Sequence, residues 1–380
     1  MPLVTPPKSR SLRVGIDAHA IGSRLGGNES YIRGLLGSLA AHPGHEYIVY
    51  VTDDVAAEIV RSLCPAAQPR AMGHTSALVR LGWALARACA RDRIDVLHVQ
   101  YVAPAGSPPI VVMIHDLSFR HHPEWFTRGE KLRFELTVPW TARRAKRILT
   151  VSEFSRRDII RSLGVPEECV QVTYNRIPRT FAPQLAGDVA ATLERLRIRA
   201  PYVLALGNLQ PRKNLPLLIR AWQELRAAEP DFALRLVLVG KKAWLFDDVL
   251  AASERSGFAD DIVLTGYVPD EDLPSLYSGA EFCVYPSLFE GFGLPPVEAM
   301  ACGAPVITSN TTAIPEICAD AAEYFDPTSA EDLKRAMLAL HRDPALRAQR
   351  AAAGLKRAAF FQDTDPAAVT IAAYEQAASV

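Results

Sequence analysis

Glu290 and Glu298 stand eight positions apart in the run Ser287-Leu-Phe-Glu-Gly-Phe-Gly-Leu-Pro-Pro-Val-Glu, directly after an apolar stretch that ends at Tyr285-Pro286. Gly291 and Gly293 let the backbone approach a ligand closely, and Pro295 or Pro296 suits the first turn of a helix. Amides of such a first turn lack intrahelical partners and form a ready anion site. Eight residues of unbroken helix would turn the two carboxylates ~80° apart. With Glu290 in the loop and Glu298 one turn into the helix, both can face one cleft. An ordinary strand–loop–helix turn with two solvated glutamates is the plain alternative, and the glycine and proline context argues against it.

Other chemically capable groups also follow apolar runs. Arg212-Lys213-Asn214 comes shortly after Tyr202–Leu206 and Gly207-Asn208; a solvated surface pair is the competing reading. Gly26-Gly27-Asn28 opens a helix near Glu29, where a Gly-Gly turn is usually only structural. His115-Asp116 follows Ile110–Ile114, and a satisfied buried histidine or a polar turn would explain it equally. Ser152 and Glu153 fit an N-cap with an acid in the first turn. His121 and His122 lack partners at metal-ligand spacing and read as loop residues.

These residues must be carried by a repeating framework. Strands are expected at Arg13–Ala18, Tyr47–Val51, Val96–Val99, Ile110–Ile114, Ile148–Val151 and Val170–Thr173. Between them lie helices at Glu29–Ala41, Ser76–Arg91, Gly129–Ala145 and Glu153–Leu163. A second series places strands at Tyr202–Leu206, Arg235–Val239, Ile262–Thr265, Phe282–Tyr285 and Val306–Thr308. Its helices are expected near Leu215–Ala228, Asp247–Ser256, Asp270–Ser278 and Pro296–Ala301. The proline-bearing segment Asn175–Pro201 separates the series as a linker with one short helix. The tail reads as helices Glu331–His341, Pro344–Ala359 and Pro366–Ala378. Near-continuous apolar strands alternating with helices indicate parallel sheets covered on both faces, and ligands of such sheets bind outside the carboxyl ends of the strands.

The bulk composition agrees. A chain of 380 residues suggests two or three domains. Lys plus Arg and Asp plus Glu are both 42, which argues against a general nucleic-acid binder. The six cysteines are scattered singly, fitting free thiols in a reducing cytoplasm and giving no zinc spacing. Met1–Leu12 lacks the apolar core of a secretory signal, and no apolar run approaches the ~20 residues of a membrane helix.

The block Glu290-Gly291-Phe292-Gly293-Leu294-Pro295-Pro296-Val297-Glu298, followed by Ala301-Cys302-Gly303-Ala304-Pro305-Val306, resembles the retaining glycosyltransferases of family 4, the group 1 glycosyltransferases. Gly26-Gly27, His115-Asp116, Val151-Ser152-Glu153-Phe154-Ser155, Gly207 with Arg212-Lys213-Asn214, and Gly266-Tyr267-Val268 extend the resemblance over nearly the whole chain. It implies an α/β protein of GT-B architecture: two doubly wound, Rossmann-like domains facing a central cleft. Residues 1–178 would bind the acceptor and 179–360 the nucleotide sugar. The closing segment 361–380 would pack back on the first domain.

The resemblance also implies roles. Glu298 would hold the ribose hydroxyls and Glu290 those of the donor sugar. The amides of Phe292, Gly293 and Leu294 would orient sugar and phosphate. Arg212 and Lys213 would clamp the diphosphate, stabilising the charge that develops as it leaves. Gly26 and Gly27 would offer further amides, and Gly207 and Asn208 would line the donor site. Many relatives have an arginine where this chain has Asn208, which shifts more of the phosphate chemistry onto Arg212 and Lys213. His115 would lie near the reacting sugar with Asp116 orienting its ring, while Ser152 and Glu153 would line the acceptor side. No metal or other cofactor is implied, because the two cations take the part of a DxD-bound ion.

The implied activity is transfer of a hexose, mannose ahead of glucose or rhamnose, from a GDP- or UDP-linked donor to a glycan or lipid-linked acceptor in bacterial polysaccharide or lipopolysaccharide assembly. Two other readings share the architecture: a nucleotide-sugar epimerase, and a catalytically silent sugar-nucleotide scaffold. The basic stretch Arg143-Arg144-Ala145-Lys146-Arg147 and the mixed helix Ser76–Arg91 offer contact with an anionic membrane, against the simpler reading of one packed and one solvated face. The expected location is the cytoplasm, with a peripheral position on the inner face of the plasma membrane as the alternative.

Overall fold

A computed structural model describes residues 10–23, 26–74, 76–241 and 257–379. It divides the chain into two compact units, one of Met1–Val151, Ser155–Thr173 and Asp365–Val380, the other of Ser152–Phe154 and Tyr174–Thr364. The division after Thr173 comes earlier than 178, and the returning segment begins at Asp365 rather than 361.

The first unit is built on β1 (Arg13–Asp17), β2 (Glu46–Val51), β3 (Gln68–Ala71), β4 (Val96–Gln100), β5 (Ile110–Met113), β6 (Arg147–Thr150) and β7 (Val170–Val172). All pair in parallel, in the order β3-β2-β1-β4-β5-β6-β7, so connections diverge between β1 and β4. Val14, Ile16, Ile48, Leu97, Val111, Val112 and Ile148 are fully buried, which explains strands apolar on both faces. β3 escapes a sequence pattern because Gln68-Pro-Arg-Ala is an edge strand, where Pro69 is tolerated and one side needs no apolar residue. Helix Asp54–Leu63, also unexpected, buries only Ala56, Ala57 and Val60; Asp53 caps it, accepting the Ala56 amide at 2.8 Å.

The helix expected over Ser76–Arg91 is interrupted: Ala77–Val79 runs into a π-helical turn, Arg80–Ala84, before Leu85–Arg91. Helix Pro366–Ala378 packs against helix Gly27–Leu39 and strands β4 to β6. It is pinned there by Tyr374, whose hydroxyl lies 2.9 Å from His98 Nδ1, while Tyr31 holds Nε2 at 3.2 Å. A neutral imidazole has one donor and one acceptor, so one tyrosine donates and the other accepts. Burial holds His98 neutral, with its pKa pushed down to about 3.

The second unit carries β8 (Tyr202–Leu206), β9 (Arg235–Val239), β10 (Ile262–Gly266), β11 (Phe282–Tyr285), β12 (Val306–Ser309) and β13 (Ala322–Phe325). Its parallel order is β10-β9-β8-β11-β12-β13, with the divergence between β8 and β11. Helix Leu215–Ala228 buries Trp222 completely, and Trp222 Nε1 donates to Leu234 O at 3.0 Å. β13 is the second unforeseen strand; Ala322-Glu-Tyr-Phe lies at an edge and lacks an apolar run. The expected helix at Asp270–Ser278 starts only at Leu273, and the one expected at Asp247–Ser256 lies outside the described residues.

Candidate active site

In the second unit the loops after β8, β9 and β11 gather the charged residues. Gly207 and Gly240 follow β8 and β9 with φ of 148° and 155°. A Cβ on Gly240 would lie 2.0 Å from Gly207 O, and one on Gly207 would lie 3.1 Å from Lys213 Cε. Two glycines are therefore needed for these loops to touch and for Lys213 to pass beside them. The 3-10 turn Pro211–Lys213 then ends at Asn214, which adopts φ 53° and donates through Nδ2 to Pro327 O at 2.9 Å.

This turn delivers both cations to Glu290. Lys213 Nζ lies 2.8 Å from Oε1, and Arg212 Nη1 lies 2.5 Å from Oε2. Arg212 also donates to Phe289 O at 2.9 Å, and Lys213 donates to the Tyr285 hydroxyl and sits 4.5 Å from the Tyr285 ring centre. Burial pushes the Glu290 carboxyl up, but Arg212 and Lys213 outweigh it and hold the pKa down at about 2. The Glu290 backbone is fixed too, its amide donating to Thr312 Oγ1 at 3.1 Å.

Glu298 sits on helix Leu294–Ala301, whose start is set by Gly293 at φ 93°. Its Oε2 accepts the Tyr277 hydroxyl at 2.9 Å. Burial raises its pKa to about 7, with Asp270 adding to the rise and Tyr277 and Lys213 opposing it. The positive charge of Lys213 thus favours the ionised form of both glutamates. The helix start is a narrower anion site than expected, because Pro295 and Pro296 carry no N–H. Of its first three residues, Leu294 alone has an amide to give. The Phe292 side chain is core, edge-on to Phe361 at 5.2 Å, which leaves only its backbone for a ligand.

In the first unit His115 follows β5, with Nε2 2.8 Å from Gln100 Oε1. The Tyr31 ring stands edge-on to it at 5.1 Å. Burial pushes the His115 pKa down to about 4. The orienting partner is Gln100 at the end of β4 and not Asp116, whose carboxylate instead accepts the Ser118 amide at 2.9 Å and turns the chain into helix Ser118–His121. Gly26, at φ 91°, and Gly27 open helix Gly27–Leu39. Behind them the buried Glu29 carboxylate accepts the Gly22 amide at 3.1 Å and pairs with Arg33 at 2.9 Å.

Ser152 is fully buried, and the Glu153 and Phe154 amides each donate to the Glu316 carboxylate at 2.8 Å. Tyr174 adds a 3.1 Å hydrogen bond to the same carboxylate. The sequence carries no local motif that marks Glu316, Tyr277, Gln100 or Gly240. A tyrosine ending the strand before the glycine loop was the one available hint.

Two family profiles match the chain: "Glycosyltransferase Family 4" over residues 25–181 and "Glycosyl transferases group 1" over 194–357. The O-antigen chain mannosyltransferase B of Escherichia coli is 34% identical over 299 residues, spanning 78% of this chain and 77% of that protein. Among solved structures, sucrose-phosphate synthase from Thermosynechococcus elongatus superposes with a TM-score of 0.77 at 17% identity, covering 95% of this chain and 97% of that one. Anabaena Alr3699/HepE in complex with UDP-glucose superposes at 0.76 with 18% identity, covering 97% and 100%. The two structural matches are likenesses of fold, and that fold is GT-B. The chain belongs to the family 4, group 1 glycosyltransferases.

Proposed function

We propose that this enzyme transfers a mannosyl group, with retention, from a nucleoside-diphosphate mannose to a glycan or lipid-linked acceptor in bacterial polysaccharide assembly. The observation that carries the proposal is the Arg212–Glu290–Lys213 cluster, with Glu298 on helix Leu294–Ala301 of the same unit. The named O-antigen mannosyltransferase supports mannose, and GDP-mannose is the first donor to test, ahead of UDP-linked sugars.

In this reading Glu298 holds the ribose hydroxyls and Glu290 those of the sugar. Arg212 and Lys213, held in place by Glu290, stabilise the charge on the diphosphate, the Leu294 amide adding a neutral donor. The bond between the anomeric carbon and the β-phosphate oxygen breaks, and an acceptor hydroxyl bonds to the same face of that carbon. Its proton passes to the departing phosphate oxygen. Glu290 is a poor covalent nucleophile, since both of its oxygens are ion-paired and its basicity is low. That favours front-face transfer over a glycosyl-enzyme. The cations serve the diphosphate without a metal, so a chelator should leave turnover unchanged.

Membrane contact belongs to the same reading. The outward face of helix Arg128–Arg144 exposes Leu132, Leu136 and Trp140, with Arg128 and Arg143 exposed at its two ends. Such a face suits an anionic lipid surface. No helix among the described residues is long and apolar enough to cross a membrane.

The test is incubation with GDP-mannose, UDP-glucose and UDP-N-acetylglucosamine, following nucleotide release and the anomeric configuration of any product. Release of GDP with an α-mannosyl product supports the proposal. Binding without turnover points to the scaffold, and release of an epimerised sugar to the epimerase.

A further inference from the structure

We infer that Thr312 is a positioning residue for Glu290. Its hydroxyl, held in a strained turn after β12, fixes the Glu290 backbone and through it the carboxylate that meets the donor sugar. This deepens, and rests on, the reading of Glu290 as the residue that holds the hydroxyls of that sugar.

The turn places a threonine where glycine is the ordinary choice. Thr311 O accepts the Ile314 amide at 3.3 Å, with Thr312 and Ala313 as the two central residues. Thr312 has φ 58° and Ala313 has φ -78°. Those signs belong to a II′ turn, whose first central position is dominated by glycine. A β-branched residue is strained there, because its crowded Cβ clashes with the backbone. Among the described residues Thr312 is the only β-branched one with a positive φ. Strain of this kind persists where the surroundings hold it, and it recurs at functional sites.

The side chain shows what the strain maintains. Thr312 Oγ1 donates to Thr311 O at 2.8 Å, which commits the hydroxyl hydrogen and leaves the oxygen to accept. The Glu290 amide donates to that oxygen at 3.1 Å. On the other side of the residue, Glu290 O accepts the Ala313 amide at 3.4 Å. One turn therefore takes both backbone groups of Glu290, while Arg212 and Lys213 take its two carboxylate oxygens. The same turn bears on the far end of the glycine loop, since a Cβ on Gly293 would lie 2.6 Å from Ile314 Cδ1.

The plainer role for a threonine just before a helix is to cap it. Helix Ile314–Cys318 instead has Ala313 at its N-cap and no side-chain cap hydrogen bond. The hydroxyl serves Glu290. Glycine at 312 would relieve the backbone but leave the Glu290 amide, in a residue only 7% exposed, without this acceptor.

The experiment compares Thr312→Ser, which keeps the hydroxyl, with Thr312→Gly and Thr312→Val, which remove it. Thr312→Gly relieves the strain and Thr312→Val retains it, so stability and positioning separate. Thermal unfolding, hydrogen exchange of the Glu290 amide without ligand, and steady-state hydrolysis of GDP-mannose are measured on the full-length protein. Thr312→Gly should melt above Thr312→Val. Both should nevertheless exchange the Glu290 amide about tenfold faster and lose about tenfold in kcat with KM little changed. Thr312→Ser should restore both the exchange rate and kcat. Wild-type kcat in Thr312→Gly, unchanged Glu290 exchange in the variants without the hydroxyl, or a Thr312→Ser no better than they are would each overturn the inference. If Thr312→Val does not fold, Thr312→Gly decides. Should the wild type fail to hydrolyse GDP-mannose, the mannosyl-donor reading falls, and the exchange rates alone decide the role of Thr312.

Discussion

Lys213 Nζ lies 2.8 Å from Glu290 Oε1, across 77 positions of sequence, while Arg212 holds the other oxygen of the same carboxylate. One carboxylate therefore bridges two cations in a largely buried site and leaves the cluster with a net positive charge. A diphosphate arriving there would find cations already fixed in place, which is how electrostatic preorganisation lowers a barrier.

Removing one member should unbalance the rest. Glu290→Gln leaves two buried cations facing each other, and breaking such a pair costs about 3–5 kcal/mol. The double variant Glu290→Gln, Lys213→Met should lose less than the sum of the two single changes. Denaturant unfolding midpoints measure this, and additive losses would show that the contact is not energetically coupled.

The two glutamates should respond to pH with opposite signs. The Glu290 pKa of about 2 lies below its ordinary 4.5, so its contribution is present above pH 4.5 and is lost as pH falls toward 2. The Glu298 pKa of about 7 lies above 4.5, so the folded state keeps a proton that the unfolded chain has released. Its contribution therefore declines as pH rises from 4.5 to 7. Glu298→Gln should raise the melting temperature relative to wild type at pH 8 and not at pH 4. Equal shifts at both pH values would refute the assignment.

His115 should work as a neutral ring. Its pKa of about 4 and that of His98 near 3 are depressed by burial, so the unfolded chain takes up protons first as pH falls below 6.5. Stability should fall from pH 6.5 downward, and the rate profile should show no histidine limb near 6.5. Gln100→Leu should lower kcat about tenfold by freeing the ring, less than the ~10²–10⁴ that a whole acid–base group contributes.

Gly240→Ala tests the loop contact directly. The added methyl meets Gly207 O at 2.0 Å, in a backbone conformation that side chains avoid. A loss of about 1–3 kcal/mol or more is expected, together with weaker nucleotide binding as the Lys213 loop shifts. An unaltered melting temperature would mean that the two loops are free to separate.

The sequence made the interior strands legible because β8, β9 and β11 are buried on both faces and read as unbroken apolar runs. β3 and β13 were not, since an edge strand has only one face to bury. Among site residues, Glu290 and Glu298 are visible through their glycine and proline context, whereas the role of Arg212 and Lys213 follows only from the family resemblance. Their partners Tyr285 and Tyr277 were hidden, because those hydrogen bonds join positions 72 and 21 apart that only the folded sheet brings together. Adjacency in sequence points to Asp116 as the partner of His115, whereas the β4–β5 pairing brings Gln100 to it.

The most direct measurement is steady-state turnover of GDP-mannose by wild type, Lys213→Ala and Glu290→Ala, with GDP affinity measured in parallel. A fall in kcat of about 10²–10³ in each variant, with a much smaller change in GDP affinity, is predicted for groups that act on the departing diphosphate and its sugar. Wild-type kcat in folded Lys213→Ala would contradict it.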